Sequence, residues 1–492
     1  MKDKVNHIIQ KPFFLLLLPL FFFLHALLEN YNTILVNDAV ILFLLYTGAA
    51  VLLALLCWPV YKDFQKAGIA AFVLISVNFF FGSLYSFLKN IPGGSFLTRY
   101  SIVLPVAALF IIVCLVYIKK SDKVFLRTSK YLNILLLLLI TIDSFLLVKE
   151  TSFSVRTHNV AKLNLQLSKC DTCSKPDIYL ILADEYAGKK QLQDLFSFDN
   201  TIFETELQNR GFFLVKNARA NYNSTVYSMA SMFNMDYIGH LKNTNSENHK
   251  DILLCRQLIK INSFTHFLEK NGYKILNYSF FDLGKEKRAV QNILTTNSTI
   301  LTGSTLLHRL RYVFGAKLAS QQKLDDLKNR ELTDNIKIEE LLKRSLSEKT
   351  TQPKFVYVHL NMPHWPYYFD SAGTKISLDK LTEEFKYDKK AYLEYLKHTN
   401  NKLLEYIDLI KKNSPKPPVI ILMSDHGFRQ LPSGTDKKYY FMNLSSVYLP
   451  SGDYSGFYEG MSNVNQFRVI LNTAFNQQLD MLKDTTNFVR DY

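Results

Sequence analysis

The sequence predicts a multi-pass α-helical membrane domain of five spans, followed by an α/β domain with a largely parallel core sheet. Three observations lead there. Five long apolar runs crowd into the first 150 of 492 residues. Short, wholly apolar, β-rich segments recur after residue 176, as expected of strands buried on both faces. Helical patterns separate those segments, which is the alternation of an α/β sheet.

The apolar runs are Pro12–Leu28, Ala39–Val60, Ala67–Leu88, Ile102–Ile118 and Tyr131–Val148. Each approaches the ~20 residues that cross a bilayer core. The first has the basic start of a signal peptide, but no small-residue cleavage site follows it and four more runs do, so it reads as a retained span. Lys2, Lys4 and Lys11 precede the first run, Lys62 and Lys66 follow the second, and Lys119, Lys120, Lys123, Arg127 and Lys130 follow the fourth. The loop after the first run has no basic residue, and the loop after the third has only Lys89 and Arg99. The positive-inside rule then puts the N-terminus in the cytoplasm and everything after Lys149 outside it, in a cytoplasmic (inner) membrane protein with a periplasmic or otherwise extracytoplasmic second half. Asp143, near the outer end of the fifth run, reads as a hydrated interfacial acid.

The formal net charge is +15, of which +6 falls in the first 150 residues and +9 in the rest. No Lys/Arg block concentrates it. The excess suits a domain lying on an anionic bilayer surface, and no motif supports a nucleic-acid partner. Of five cysteines, Cys57 and Cys114 lie in spans as packing residues. Cys170, Cys173 and Cys255 fall outside, where a disulfide persists. Cys170 can close on Cys173, or one of them can reach Cys255, or the thiols stay free.

The organisation is therefore a five-helix membrane domain at 1–150, a polar juxtamembrane connector at 151–175 and a globular domain at 176–492. Val155–Leu167 in the connector has the pattern of a helix lying along the membrane. In the globular domain, Asp177–Ala183, Phe355–Leu360 and Pro418–Ser424 are the strong strands, and Tyr273–Phe280 and Ser446–Leu449 the weaker ones. Thr201–Arg210, Ser263–Asn271, Leu324–Ser347 and Ala391–Lys412 carry helical patterns.

Ligands of such sheets bind at the carboxyl ends of the strands, and all three strong strands end in reactive residues. The first runs into Asp184-Glu185, and the third into Asp425-His426-Gly427. Carboxylates with a neutral imidazole are a normal set for Zn²⁺ or Mn²⁺. An isolated Asp-Glu at a strand end is more often a cap for the next helix. Ser-Asp-His-Gly after an apolar strand is more specific, with Gly427 permitting a tight turn. The middle strand leads to His364 between Pro363 and Pro366. Alone, that histidine would be an ordinary surface or core residue; beside the other strand ends it belongs near a substrate. A nucleophilic hydroxyl is expected in Asn221–Asn234, where small hydroxyl residues open a helix whose N–H groups can hold phosphoryl oxygens. The plain alternative for Ser224 is an N-cap.

Taken in order, Asp184, the Thr225 segment, Pro363-His364-Trp365-Pro366 and Ser424-Asp425-His426-Gly427 resemble the sulfatase-like enzymes of the alkaline phosphatase superfamily. The multi-span anchor with an outside domain resembles the phosphoethanolamine transferases that modify lipid A and the lipoteichoic acid synthases. Thr225-Val-Tyr-Ser228, followed by Met232-Phe233-Asn234, is similar to the transferases' Thr-x-x-Ser and Met-Phe-Ser. The resemblance implies an alkaline phosphatase/sulfatase-like fold with Thr225 as nucleophile and metal contact. It also implies Asp184, Asp425 and His426 as ligands, Glu185 as a second acid or the ligand one register over, and His364 as a substrate contact. Two departures stand out. The Cys/Ser-x-Pro-x-Arg motif that true sulfatases convert to formylglycine is missing, and no histidine follows His426. Arg429 is the candidate for the phosphate contact left unassigned.

The implied reaction is metal-dependent transfer of a phosphoethanolamine- or phosphoglycerol-type headgroup from a membrane phospholipid to an envelope glycan or lipid, through a phospho-threonine. The alternatives are a hydrolase acting on a phosphoester or sulfuric ester with the same site, and a catalytically inactive envelope protein that binds lipid or glycan. A transporter would need a buried charged pathway through the spans.

Overall fold

The computed structural model describes residues 10–29, 36–91, 96–122, 125–160, 165, 167–238, 249–290, 302–311, 321–348, 350–382 and 384–489. It forms two compact units, Met1–Ala161 with Leu294–Ser320, and Lys162–Ile293 with Gln321–Tyr492.

The first unit is built from α1 (Phe14–Glu29), α2 (Val36–Tyr61), α3 (Phe64–Asn90), α4 (Tyr100–Lys120) and α5 (Leu126–Val160). Four of these helices are long and apolar enough to cross a membrane. α1 has 16 residues, or about 24 Å of rise against a hydrocarbon core of about 30 Å. Small residues let the helices approach closely: Ala50 and Ala54 of α2 and Ala70 and Ala71 of α3 are buried in one cluster with Phe14, Phe22 and Phe79. Phe22 and Phe79 stack with centroids 4.1 Å apart. Leu45, Leu109 and Phe145 stay exposed, as lipid-facing residues should.

One expectation fails here. Asp143 is buried, not hydrated, and its Oδ2 lies 3.0 Å from Nδ1 of His25 on α1. A carboxylate at this depth is stabilised by a partner on a neighbouring helix. In the connector, α5 continues to Val160, and residues 161–164 and 166 fall outside the described residues. Cys170 and Cys173 are bridged, with Cα atoms 5.6 Å apart, and Cys255 is buried and takes no part in that disulfide.

The second unit runs β1 (Ile178–Ala183), α6 (Lys189–Phe196), α7 (Thr201–Asn209), β2 (Phe213–Leu214), α8 (Thr225–Asn234), α9 (His249–Lys260), α10 (Ser263–Lys270), β3 (Lys274–Tyr278), α11 (Gln321–Lys328), α12 (Arg330–Ser347), β4 (Lys354–Leu360), α13 (Lys389–Asn413), β5 (Val419–Met423), β6 (Ser445–Tyr448) and α14 (Asn463–Phe475). The sheet order is β2-β6-β5-β1-β4-β3. β3, β4, β1 and β5 are mutually parallel, while β6 and β2 form an antiparallel edge. Every residue of β1, β4 and β5 is buried, which is why those strands read as mainly apolar runs, with Lys354 and His359 of β4 the exceptions.

Register sets the site. Ala183 pairs with Leu360, and Leu182 with Met423. The three central strands therefore end level, and the residues after each emerge side by side. The helical pattern expected at Leu324–Ser347 is two helices, α11 and α12, meeting at Asn329. The sequence expectations do not include α14: its Asn463, Asn465, Gln466 and Arg468 are polar yet buried, so its polar positions do not mark a solvent face.

Candidate active site

Asp184 and Glu185 leave β1, Asp425 and His426 leave β5, and Thr225 opens α8. Ligand atoms of Asp184, Asp425 and His426 all lie within 4.8 Å of one another, and all three residues are buried. Thr225 Oγ1 is 3.2 Å from His426 Nε2. Among the residues of α8, Val226–Asn234 are buried and Thr225 alone is partly exposed. Ser224, the plain N-cap candidate, holds the N-cap position with extended backbone but makes no side-chain cap bond.

The turn after β5 is held from several sides. Ser424 Oγ donates to the His426 carbonyl at 2.7 Å and accepts from the Tyr186 N–H at 2.9 Å. Asn443 and Asn463 both donate to the Ser424 carbonyl. Gly427 is needed for space, and its φ is not positive. A Cβ there would come within 2.6 Å of Gln191 Oε1 and 2.7 Å of the Tyr439 carbonyl, and against the Met442 carbonyl.

Donors and acceptors do not balance in this centre. The His426 Nδ1–H donates to the Gly427 carbonyl at 2.9 Å. That fixes the tautomer and turns the Nε2 lone pair inward. Nε2 lies 3.1 Å from Asp425 Oδ2 and 4.0 Å from Asp184 Oδ1. Asp184 Oδ1, Asp425 Oδ2 and Glu185 Oε2 are buried without a hydrogen-bond partner among the described residues. Buried carboxylate oxygens facing an imidazole lone pair repel one another unless a cation lies between them. The residues present therefore fit a divalent metal such as Zn²⁺ or Mn²⁺.

The two acids after β1 differ in their surroundings. Glu185 has a positive φ of 60°, and its Oε1 accepts from the Arg429 N–H at 2.7 Å and from Gln430 at 3.2 Å. Its Oε2 is 3.7 Å from His364 Nε2. Asp184 has one oxygen in the cluster and the other 3.4 Å from Nε2 of His359. Burial pushes the Asp184 carboxyl up, but the hydrogen bond from His359, with the positive charge that His364, His359 and His426 carry when protonated, outweighs it and holds the group well below the ordinary carboxylate range.

His359 was not anticipated. It lies inside β4, its Nδ1 is 2.6 Å from the Tyr357 hydroxyl, and Phe280 packs on its ring. Burial, with the charges of Asp425 and Asp184, keeps the Tyr357 phenol protonated. Its hydroxyl donating to Nδ1 directs the His359 Nε2–H at Asp184, which turns the other Asp184 oxygen to the centre.

His364 is partly exposed between two cis prolyl bonds, Met362–Pro363 and Trp365–Pro366, and its Nδ1 bonds the Trp365 carbonyl. Its loop is pinned to α12 by Asn335, which accepts from the Asn361 N–H at 2.8 Å and donates to the Asn361 carbonyl at 3.1 Å. Arg429 reaches the Asn223 carbonyl at 3.3 Å, just ahead of α8. Arg468 serves structure: it donates to the Met235 carbonyl at 2.8 Å, closing the C-terminal end of α8.

The sulfatase family model matches residues 178–467, more than half of the chain. The chain belongs to the sulfatase family. This sulfatase-family chain is also similar to several solved structures. The C-terminal periplasmic domain of EptC from Escherichia coli, in complex with Zn, is 13% identical, with 62% of this chain and 84% of that one covered and a TM-score of 0.39. The soluble domain of lipooligosaccharide phosphoethanolamine transferase A from Neisseria meningitidis is 14% identical, covering 62% and 89%, with a TM-score of 0.36. A putative sulfatase from Bacteroides fragilis is 13% identical, covering 63% and 76%, with a TM-score of 0.40. Comparison with curated proteins found no match.

Proposed function

We propose that this sulfatase-family protein is a metal-dependent transferase. It moves a phospho-headgroup of the phosphoethanolamine or phosphoglycerol type from a membrane phospholipid to an envelope glycan or lipid, through a covalent phospho-threonine at Thr225. The observation that carries the reading is the 3.2 Å approach of the Thr225 hydroxyl to His426 Nε2, in a centre whose buried carboxylate oxygens have no hydrogen-bond partner among the described residues. A threonine also stands where a formylglycine-dependent sulfatase needs cysteine or serine, which favours phosphoryl over sulfuryl chemistry.

Asp184, Asp425 and His426 would hold the metal, with Thr225 beside it and Glu185 adjoining. The ion supplies Lewis acidity to a phosphoryl oxygen and favours ionisation of the nearby hydroxyl. In the first half-reaction the Thr225 oxygen bonds to phosphorus as the bond from phosphorus to the diacylglycerol oxygen breaks. The threonine proton passes, in net, to that diacylglycerol oxygen. His364, backed by Glu185 at 3.7 Å, is placed to deliver it. The first N–H groups of α8 have no intrahelical acceptor and can receive phosphoryl oxygens, and Arg429 offers a guanidinium to the same group. In the second half-reaction an acceptor hydroxyl bonds to phosphorus, the Thr225 oxygen leaves, and a proton returns to it. Apolar helices keep the domain at a lipid surface, which raises the effective donor concentration. The orientation proposed is the one with the catalytic unit outside the cytoplasmic membrane.

Mass spectrometry of the Thr225 peptide from protein purified out of its own membranes tests this, with metal content measured on the same sample. An adduct on Thr225 whose mass equals a phospho-headgroup supports the reading. Full transfer activity in Thr225→Ala overturns it. Headgroup release at full rate without an acceptor would make water the acceptor and the protein a hydrolase.

A further inference from the structure

Residues 302–311 follow β3 in sequence, yet they pack in the membrane unit. The Leu307 N–H donates to Asn78 Oδ1 at 3.0 Å. Gly82 lies so close to Ser304 that a Cβ would come within 2.8 Å of its Cα. Asn78 and Gly82 are in the span Phe64–Lys89, and at 1.5 Å per residue Asn78 lies roughly 16 Å inward from Lys89. A polar side chain at that depth is expensive unless paired, and here a backbone N–H of the inserted segment pairs it.

Arg309, two residues on, reaches back along α3. Its guanidinium carbon lies 4.8 Å from the Tyr85 ring centroid, and Tyr85 stacks on Tyr100 with centroids 5.8 Å apart. Tyr85 is about 6 Å from the Lys89 end of the span, the level at which tyrosines collect at a bilayer interface. A long basic side chain rooted deeper and extended to this level is snorkelling. Its Nε is buried without a hydrogen-bond partner, and no carboxylate pairs with it among the described residues. A stacked guanidinium short of acceptors, at the depth of lipid headgroups, is completed by a phosphate.

We propose that Arg309, framed by Tyr85 and Tyr100, binds the phosphodiester of a phospholipid in the leaflet at the Lys89 end of α3, as a site separate from the metal centre. It does not depend on the transfer chemistry. The site fixes a lipid against the inserted segment, and the lipid in turn helps hold residues 302–311 on α3.

The test is native mass spectrometry of the full-length protein in detergent, titrated with phosphatidylglycerol, with diacylglycerol of the same chains, or with inorganic phosphate. The wild type should retain phosphatidylglycerol over diacylglycerol. Arg309→Ala should weaken that retention by roughly tenfold or more, Arg309→Lys should recover part of it, and Arg311→Ala, at an exposed neighbour, should not change it. Equal retention in Arg309→Ala of unchanged melting temperature overturns the proposal. So does equal binding of diacylglycerol, or an equal loss in Arg311→Ala, which would mean diffuse charge. Displacement of the lipid by millimolar inorganic phosphate would also overturn it, since the ligand would then be the free anion. If Arg309→Ala fails to fold, Tyr85→Leu, which keeps the apolar bulk and removes the ring face, takes its place with the same expectations.

Discussion

Ser228 Oγ donates to the main-chain oxygen of Asp425 at 2.6 Å, tying α8, which opens at Thr225, to the turn that presents the metal-ligand candidates. The distance between Thr225 and His426 is thus set by the backbones of two elements, and not by two side chains alone. Ser228→Ala should lower stability by about 1 kcal/mol and slow transfer, with metal content unchanged. Thermal melts, metal analysis and a transfer assay on one preparation separate these effects. Loss of metal in this variant would show that the bond supports the ligands and not the nucleophile.

Removing charge from the centre should act in opposite directions with and without metal. Asp425→Asn takes away a carboxylate whose Oδ2 has no hydrogen-bond partner. In metal-stripped protein the substitution should raise the melting temperature, because an uncompensated buried charge is gone. In metal-loaded protein it should lower it, because a ligand is gone. Scanning calorimetry with and without chelator reads both. A melting temperature of the wild type that ignores chelator would remove the metal from the account.

Tyr357→Phe leaves the core packing of β4 nearly intact and deletes one hydroxyl. The His359 ring then loses the partner on Nδ1 that directs its other nitrogen at Asp184. Metal affinity should fall by about tenfold to a hundredfold, while the melting temperature of the metal-free protein moves little. Competition with a chelating dye measures the affinity.

Gly427→Ala should fail outright. Three oxygens crowd the position where its Cβ would go, and two of them are main-chain carbonyls, of Met442 and Tyr439, that cannot swing aside as a side chain can. A destabilisation of several kcal/mol is expected, of the kind seen on overpacking, with loss of soluble yield as the simplest readout.

Asp334 on α12 gives a pH dependence away from the candidate metal ligands Asp184, Asp425 and His426. Burial pushes its carboxyl up to about 6, with Glu331 adding to the rise and Arg330 and Lys337 opposing it. A folded-state value above the ordinary one means the folded form holds the proton more tightly. This residue's contribution to stability is therefore complete below the ordinary carboxyl range and is lost as pH rises through about 6. Asp334→Asn should melt higher than the wild type at pH 8 and together with it at pH 4.

Much of the fold was legible because its signals are local. Fully buried parallel strands show as β1, β4 and β5 did, and membrane helices show by length. Asp425 and His426 were legible as candidates because Ser-Asp-His-Gly after an apolar strand is specific, whereas Asp184, which alone reads as a helix cap, gains weight only because the sheet brings it to the same cluster. His359 was hidden because inside FVYVHL it looks like a core histidine, and the only hint was Tyr357 two residues earlier on the same face. α14 was hidden because its polar residues Asn463, Asn465, Gln466 and Arg468 face the interior, so polarity and exposure do not coincide. The Asp143–His25 pair joins two spans that sequence reading places far apart, so no local pattern announces it. At Gly427 the sequence points to backbone freedom, whereas packing shows that lack of room for a Cβ, and not backbone conformation, demands glycine.

The excursion of residues 302–311 bears on how the catalytic half can be handled in the laboratory. A fragment starting at Lys162 would still carry residues 302–311, whose Ser304 and Leu307 backbones meet α3, but not that helix. Such a fragment should cling to micelles or self-associate. Replacing 294–320 with a short polar linker is the change that should yield a monodisperse domain.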